Sequence, residues 1–122
     1  MFISITDYNW FQNVSSIQGI DEVNFWIPGE TTPAHFQQGE PVLFKLHVRD
    51  GGKIVGGGFF AHFSIVPVSI AWTSFGQKNG AASLLEVRRM IEKYRGTSNN
   101  KYEDYKIGCI IPVSYTHLTL PT

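Results

Sequence analysis

The chain reads GEPVLFKLH at residues 39–47 and IVGGGFF at residues 54–60. In the first run, apolar side chains occupy alternate positions: Val42, Phe44 and Leu46. This period of two predicts a strand with one buried face, from whose other face Lys45 and His47 leave. The second run predicts another buried strand, interrupted by three glycines. Because glycine weakens a strand interior, the run of three predicts a bend or a close approach of backbone or ligand, and a strand pair that is not an ordinary hairpin.

The flanking segments predict further strands and two helices. Residues 2–5, 21–27 and 105–111 have strand patterns, and Asp7 is placed to cap a short helix that carries Trp10. Ser83 and Glu86 form a capping box before apolar residues at helical spacing, which predicts a helix over residues 84–95. This order predicts a small α+β domain whose sheet curls towards an open β-barrel flanked by helices.

Composition limits the classes of function. The 122 residues include 10 basic and 10 acidic side chains, nine Phe, five Tyr and three Trp. A neutral domain binds phosphate backbone poorly, so nucleic-acid contact requires a local patch. The single cysteine, Cys109, excludes an internal disulfide and is typical of a reduced compartment. With no apolar stretch long enough to span a bilayer, we expect a cytoplasmic protein without membrane contact.

The last ten residues, VSYTHLTLPT at 113–122, resemble one translated frame of a transposase-based sequencing adapter. We therefore expect the natural domain to occupy residues 1–111. Residues 112–122 are then expected to be an artefactual tail that replaces a lost C-terminal region. On this hypothesis, residues 113–122 make no specific packing with the core beyond an accidental strand.

Several blocks in the same order carry a family resemblance: DEVNFW at 21–26, the runs 39–47 and 54–63, SIAW at 69–72, FGQKNGA at 75–81, and IGC at 107–109. Together they resemble the N-terminal domain of a bacterial family of HNH endonucleases. The resemblance implies a PUA-like fold, the group that includes EVE, YTH and ASCH domains. It also implies that a single, modified DNA base is received in an aromatic pocket. The family's nuclease module, which needs a divalent metal, lies C-terminal to this domain and is missing here.

The residues themselves indicate no catalytic site, so whether the protein is an enzyme stays open. The histidines before residue 112 are His35, His47 and His62, and their spacing matches no metal-binding template. Cys109 lies in an apolar run, where a thiol is usually inert. The triple glycine lacks the following Lys-Ser/Thr of a phosphate loop. We expect no cofactor in this fragment.

Base reading requires rings that stack and polar groups that contact the base edge. We predict that Trp10 and Trp26 stack, that Asn24 reads the edge, and that Lys45 or His47 contacts phosphate or base. Each has a structural alternative: the tryptophans belong to the core, and Asn24 is a buried amide.

On the predicted helix, a basic face is expected to contact DNA backbone, or simply to be solvated. Its members are Arg88, Arg89, Lys93 and Arg95.

Three functions stay open at the sequence level. The first is the DNA-recognition domain of an HNH-type restriction endonuclease. The second is a PUA-like domain that binds RNA or a modified nucleotide, unrelated to restriction. The third is a domain that holds a partner protein or forms a homodimer through its aromatic surface.

Overall fold

The computed structural model describes residues 1–28, 37–96 and 103–117. Within them lie the strands β1 (Phe2–Thr6), β2 (Phe25–Ile27), β3 (Pro41–Leu46), β4 (Ile54–Pro67) and β5 (Lys106–His117). The α-helices are α1 (Tyr8–Ser15), α2 (Val68–Phe75) and α3 (Leu84–Arg95). Short 3₁₀ turns occupy Val48–Asp50 and Gly76–Asn79. The predicted α+β class is confirmed.

The five strands form one open, mixed sheet in the order β1-β3-β4-β5-β2. β1 is parallel to β3, and the other neighbours are antiparallel. β1 and β2 are therefore the two outer strands. Ile5 of β1 and Trp26 of β2 nevertheless line the same cavity. The sheet thus bends enough to bring its two edges to one site.

The runs at residues 39–47 and 54–60 form β3 and the start of β4. They pair directly as an antiparallel hairpin, with a register shift between Phe44 and Lys45. The two strands are immediate neighbours in this hairpin, and the register shift makes it irregular, in line with the prediction that it is not an ordinary hairpin. A Cβ added at Gly57 would lie 2.8 Å from the Val42 carbonyl oxygen. The glycine run therefore lets neighbouring backbones approach closely, as the sequence predicted.

Both predicted helix caps are confirmed. The Asp7 carboxylate accepts a hydrogen bond from the Trp10 backbone N–H at 3.0 Å, and Ser83 Oγ accepts from the Glu86 N–H at 3.2 Å. Glu86 accepts from the N–H of Ala82 at 3.0 Å, one residue before the cap. α3 spans Leu84–Arg95, the predicted range.

The strand at the C-terminal end of the described chain corrects one expectation. β5 continues across residue 111 to His117 and pairs with β4 along its length. Tyr115 is only 4% exposed, and its ring lies 6.5 Å from Trp10 and 5.8 Å from Phe44 between centroids. The Tyr115 N–H donates to the Asp21 carbonyl at 2.8 Å. For residues 113–117, the expectation of no specific packing beyond an accidental strand is therefore wrong, because Tyr115 fills part of the core. Residues 118–122 lie outside the described residues.

Candidate functional site

A cavity of about 190 Å³ lies where the two outer strands approach each other. Most of its wall is aromatic or aliphatic, with one carboxylate and one imidazole. The lining residues are Ile5, Asp7, Trp10, Phe25, Trp26, Ile27, Pro28, His47 and Tyr94. They come from β1, α1, β2, the turn after β3, and α3. The cavity is therefore assembled by the tertiary fold and by no single segment.

The rings of the wall pack against one another in defined geometries. Trp10 meets Phe25 edge to face, with centroids 5.3 Å apart and planes at 75°. Trp26 lies 6.3 Å from Tyr94, and the His47 ring is parallel to Tyr94 within 3° at a centroid distance of 6.2 Å. These separations fall within the range of favourable aromatic pairs. The wall therefore contains two sets of packed rings, Trp10 with Phe25 and Tyr94 with Trp26 and His47.

Asp7 places a charged cluster at the cavity. Its Oδ2 accepts hydrogen bonds from Lys93 Nζ at 2.8 Å and from the Tyr94 hydroxyl at 2.6 Å. Burial by itself raises the pKa of the Asp7 carboxyl, but the bonds from Lys93, Tyr94 and the Trp10 amide hold that pKa below its usual range. The hydrogen bond to Asp7 likewise raises the pKa of Lys93. The pair is an ammonium carboxylate at neutral pH, and its charges offset each other.

Three of the predicted site residues, Trp10, Trp26 and His47, meet at this cavity. Trp10 and Trp26 are 1% and 6% exposed and also belong to the hydrophobic core, so the structural alternative for the two tryptophans holds as well. Lys45 alternates with the buried Phe44 and Leu46 and lies on the opposite, partly exposed face of β3, away from the cavity wall. Of the two predicted contact residues Lys45 and His47, His47 lines the cavity and Lys45 does not. His47 ends the strand and turns towards Tyr94 instead.

Asn24 lies behind the cavity wall. It is 0% exposed, and its Nδ2 donates to Asn79 Oδ1 at 2.8 Å and to Cys109 Sγ at 3.3 Å. Its Oδ1 is buried without a hydrogen-bond partner among the described residues. Unlike Trp10 and Trp26, Asn24 does not line the cavity, so the expected edge-reading role does not fit this position. The buried-amide alternative describes Asn24 correctly.

The basic face of α3 is largely used within the chain. Arg88 is 12% exposed, and its guanidinium lies 4.8 Å from the Tyr105 ring centroid, with Arg95 4.6 Å from the same ring. Lys93 binds Asp7. Arg89 is exposed and makes no ion pair or hydrogen bond within residues 1–28, 37–96 and 103–117. Arg89 is therefore the exposed member of this basic face that has no such partner, whereas Lys93 and Arg95 are exposed but bonded within the chain.

Sequence reasoning missed two polar members of the site, Asp7 and Tyr94. Asp7 was interpreted only as a helix cap and Tyr94 only as part of the apolar stripe of α3. Their contact joins residues 87 positions apart. The one available signal was the negative charge of Asp7, since a capping carboxylate can also accept hydrogen bonds from the side chains of other elements.

Metal and thiol chemistry find no geometric support in the part of the chain that is described. No group of three or more His, Cys, Asp or Glu there is arranged to hold a metal, and His35 lies outside that part. Burial raises the pKa of the Cys109 thiol, against a smaller lowering by the Asn24 hydrogen bond. The thiol is therefore protonated and unreactive at neutral pH.

No protein-family model, curated protein or solved structure matches this chain. The likeness to the N-terminal domain of HNH endonucleases therefore rests on the sequence blocks alone. No helix among the described residues combines the length and hydropathy required to cross a bilayer.

Proposed function

We propose that this chain is a nucleic-acid recognition domain that takes one base into the cavity between β1 and β2. In line with the family resemblance, we propose a PUA-like domain that reads a modified DNA base for an HNH-type restriction endonuclease. Cleavage and the divalent metal would then belong to the separate nuclease module. The observation that supports this proposal is the aromatic wall, with Trp10, Phe25, Trp26 and Tyr94 around one opening.

The size of the cavity favours a single ring system. Pockets for drug-sized ligands usually measure about 300–1,000 Å³, and this cavity measures about 190 Å³. A whole nucleotide therefore remains partly outside, with its sugar and phosphate at the rim near His47.

Charge and hydrogen-bonding capacity define the ligand further. The charges of Asp7 and Lys93 offset each other, so the pair favours neither a phosphate nor a free cation in the cavity. A carboxylate accepts about four hydrogen bonds, and the Trp10 amide, Lys93 and Tyr94 supply three. One acceptor position remains. A neutral base that offers an N–H edge, such as a cytosine or adenine, suits it.

Binding titrations test this proposal. Duplexes with and without one methylated or hydroxymethylated cytosine are titrated at two salt concentrations, and circular dichroism confirms that each variant is folded. Trp26→Ala is expected to weaken binding by about 1–3 kcal/mol, the value of one stacking contact. Trp72→Ala is the matched control, since Trp72 is not part of the cavity wall. Arg89→Ala is expected to weaken binding to every duplex and to reduce the salt dependence.

Two results would contradict the proposal. In one, Trp26→Ala and Trp72→Ala stay folded and bind every duplex as the parent does. In the other, the parent binds all duplexes equally and only Arg89→Ala has an effect, which indicates backbone binding without base reading. RNA strands of the same sequence form a further arm. Tighter binding to RNA favours the alternative of an RNA-binding PUA-like domain.

Self-association is a second candidate, favoured by the outer face of the sheet. The register places Ile3 beside Leu43, and Pro41 beside Phe59, which pairs with Val113. Ile3 is 49% exposed and Phe59 48%. Contiguous exposed apolar side chains often mark a contact between proteins. Sedimentation of the parent and of Phe59→Ser tests this, since a homodimer through this face dissociates in the variant.

A further inference from the structure

We infer that the loop Gly76–Gly80, through Asn79, is a positioning element that fixes the two tryptophans of the cavity, Trp10 and Trp26. This inference rests on the proposed function for its consequence in binding. The loop belongs to the FGQKNGA block at 75–81, whose role the sequence did not explain. None of its residues lines the cavity. Asn79 therefore acts through other side chains and does not contact the ligand.

Asn79 is held from every side. It is 1% exposed, and its Nδ2 donates to the Ala71 carbonyl at 3.0 Å and to the Gly76 carbonyl at 2.8 Å. Its Oδ1 accepts from Asn24 Nδ2 at 2.8 Å. The side chain thus ties the end of α2 and the loop to the segment that leads into β2. A buried amide with these three bonds has one orientation only.

Both indole N–H groups end on this framework. Trp26 Nε1 donates to the Asn79 carbonyl at 3.0 Å, and Trp10 Nε1 donates to the Asn24 carbonyl at 3.2 Å. The Asn24 N–H in turn donates to the Lys78 carbonyl at 3.0 Å. The two acceptors are thereby joined through the Asn24–Asn79 bond. Neither indole can rotate without leaving a buried N–H unpaired.

Gly80 fixes the position of Trp10 by contact. Its φ is +79°, a left-handed conformation, and an added Cβ would lie 2.1 Å from Trp10 Cδ1. The Trp10 ring therefore lies directly on the Gly80 backbone. Asn13 Nδ2, on the same helix as Trp10, donates to the Gly80 carbonyl at 2.8 Å and so holds the loop against α1. Here the glycine serves close approach as well as backbone conformation.

Hydrogen exchange of the indole N–H groups tests the positioning role independently of any ligand. The full chain, labelled with ¹⁵N, is compared with Asn79→Ala, and with Asn9→Ala as a control at an exposed asparagine of α1. In Asn79→Ala, the indole N–H groups of Trp10 and Trp26 are expected to exchange about tenfold faster relative to the β3–β4 amides. Asn9→Ala is expected to leave this ratio unchanged. If Asn79→Ala does not fold, Asn79→Ser replaces it, because serine is small and uncharged and its hydroxyl both donates and accepts.

The same variants are then titrated with a duplex that carries one methylated cytosine. We expect Asn79→Ala to weaken binding about fivefold or more, although no cavity side chain has changed. Equal acceleration of indole and β3–β4 exchange would overturn the inference, because Asn79 would then support only global stability. Unchanged indole exchange would overturn it as well. If the parent binds no base, the proposed function fails, and the exchange ratio alone decides the positioning role.

Discussion

Replacement of Asp7 tests the charged cluster that joins α1 to α3 at the cavity. Asp7→Ala removes the cap of α1, which contributes about 1 kcal/mol. It also removes the acceptor of the Tyr94 hydroxyl, a charge-assisted bond worth about 1.5–3 kcal/mol. The Lys93 side chain is 49% exposed, so water replaces its partner and the ion pair adds only about 0.2–1 kcal/mol. We expect a loss of about 3–5 kcal/mol in the free energy of unfolding.

Asp7→Asn separates the cap from the charge. Asparagine caps a helix as well as aspartate does, so this variant should lose only about 1–2 kcal/mol, the charge-assisted part. The folded pKa of Asp7 is lowered, so its charged form stabilises the fold above the unfolded pKa of about 4. That contribution is lost as pH falls through the folded pKa. The stability gap between the parent and Asp7→Asn should therefore be largest near pH 7 and should shrink below about pH 4.

Urea denaturation followed by circular dichroism between pH 2.5 and 7 measures this gap. Lys93→Met is the matched control, because it removes only the half-exposed member of the ion pair and should cost less than Asp7→Asn. The reasoning is refuted if Asp7→Asn equals the parent at pH 7. A gap that stays constant into the acid range would also refute it.

Three further predictions concern the core. The Tyr115 hydroxyl is buried without a partner among the described residues, so Tyr115→Phe should keep or raise the melting temperature. Tyr115→Ala should lower the free energy of unfolding by about 3–5 kcal/mol. An Ala variant that melts at the same temperature as the parent would contradict the burial of this ring. Gly57→Ala should lose about 1–3 kcal/mol in urea denaturation, because its Cβ would meet the Val42 carbonyl, and an unchanged midpoint would show that the strands have room. Since burial raises the pKa of Cys109, a disulfide reagent at pH 8 should label it only after unfolding in guanidinium, and rapid labelling of the native protein would disprove that burial.

The elements that the sequence predicted well are those fixed by neighbouring residues. Asp7 and Ser83 cap helices through bonds to N–H groups three residues away, and the bounds of α3 follow from one capping box and one apolar stripe. The alternation in β3 predicted its buried face for the same reason. Because these interactions join residues only a few positions apart, a window of about ten residues is long enough to predict them.

The site was predictable in its residue types and less so in its arrangement. Trp10 and Trp26 were identified because large rings are rare and serve stacking. The partner of Trp26 is the Asn79 carbonyl, 53 positions away. Asn24 was predicted to read a base edge, with a buried amide as the alternative, and the structure pairs its Nδ2 with Asn79 and Cys109 in the interior. A local sequence pattern does not predict which distant group will form the hydrogen bond with a buried polar side chain.

The central claim is that one base enters the cavity between β1 and β2. The most direct test is a ¹H–¹⁵N NMR titration of the full chain with a short oligonucleotide that carries a single methylated cytosine. We predict that the largest shifts fall on the indole N–H groups of Trp10 and Trp26 and on the amides of His47 and Tyr94. The unmodified oligonucleotide should cause smaller shifts at the same positions. Shifts confined to the outer sheet face or to the surroundings of Arg89, with the two indole signals unmoved at saturation, would contradict the account.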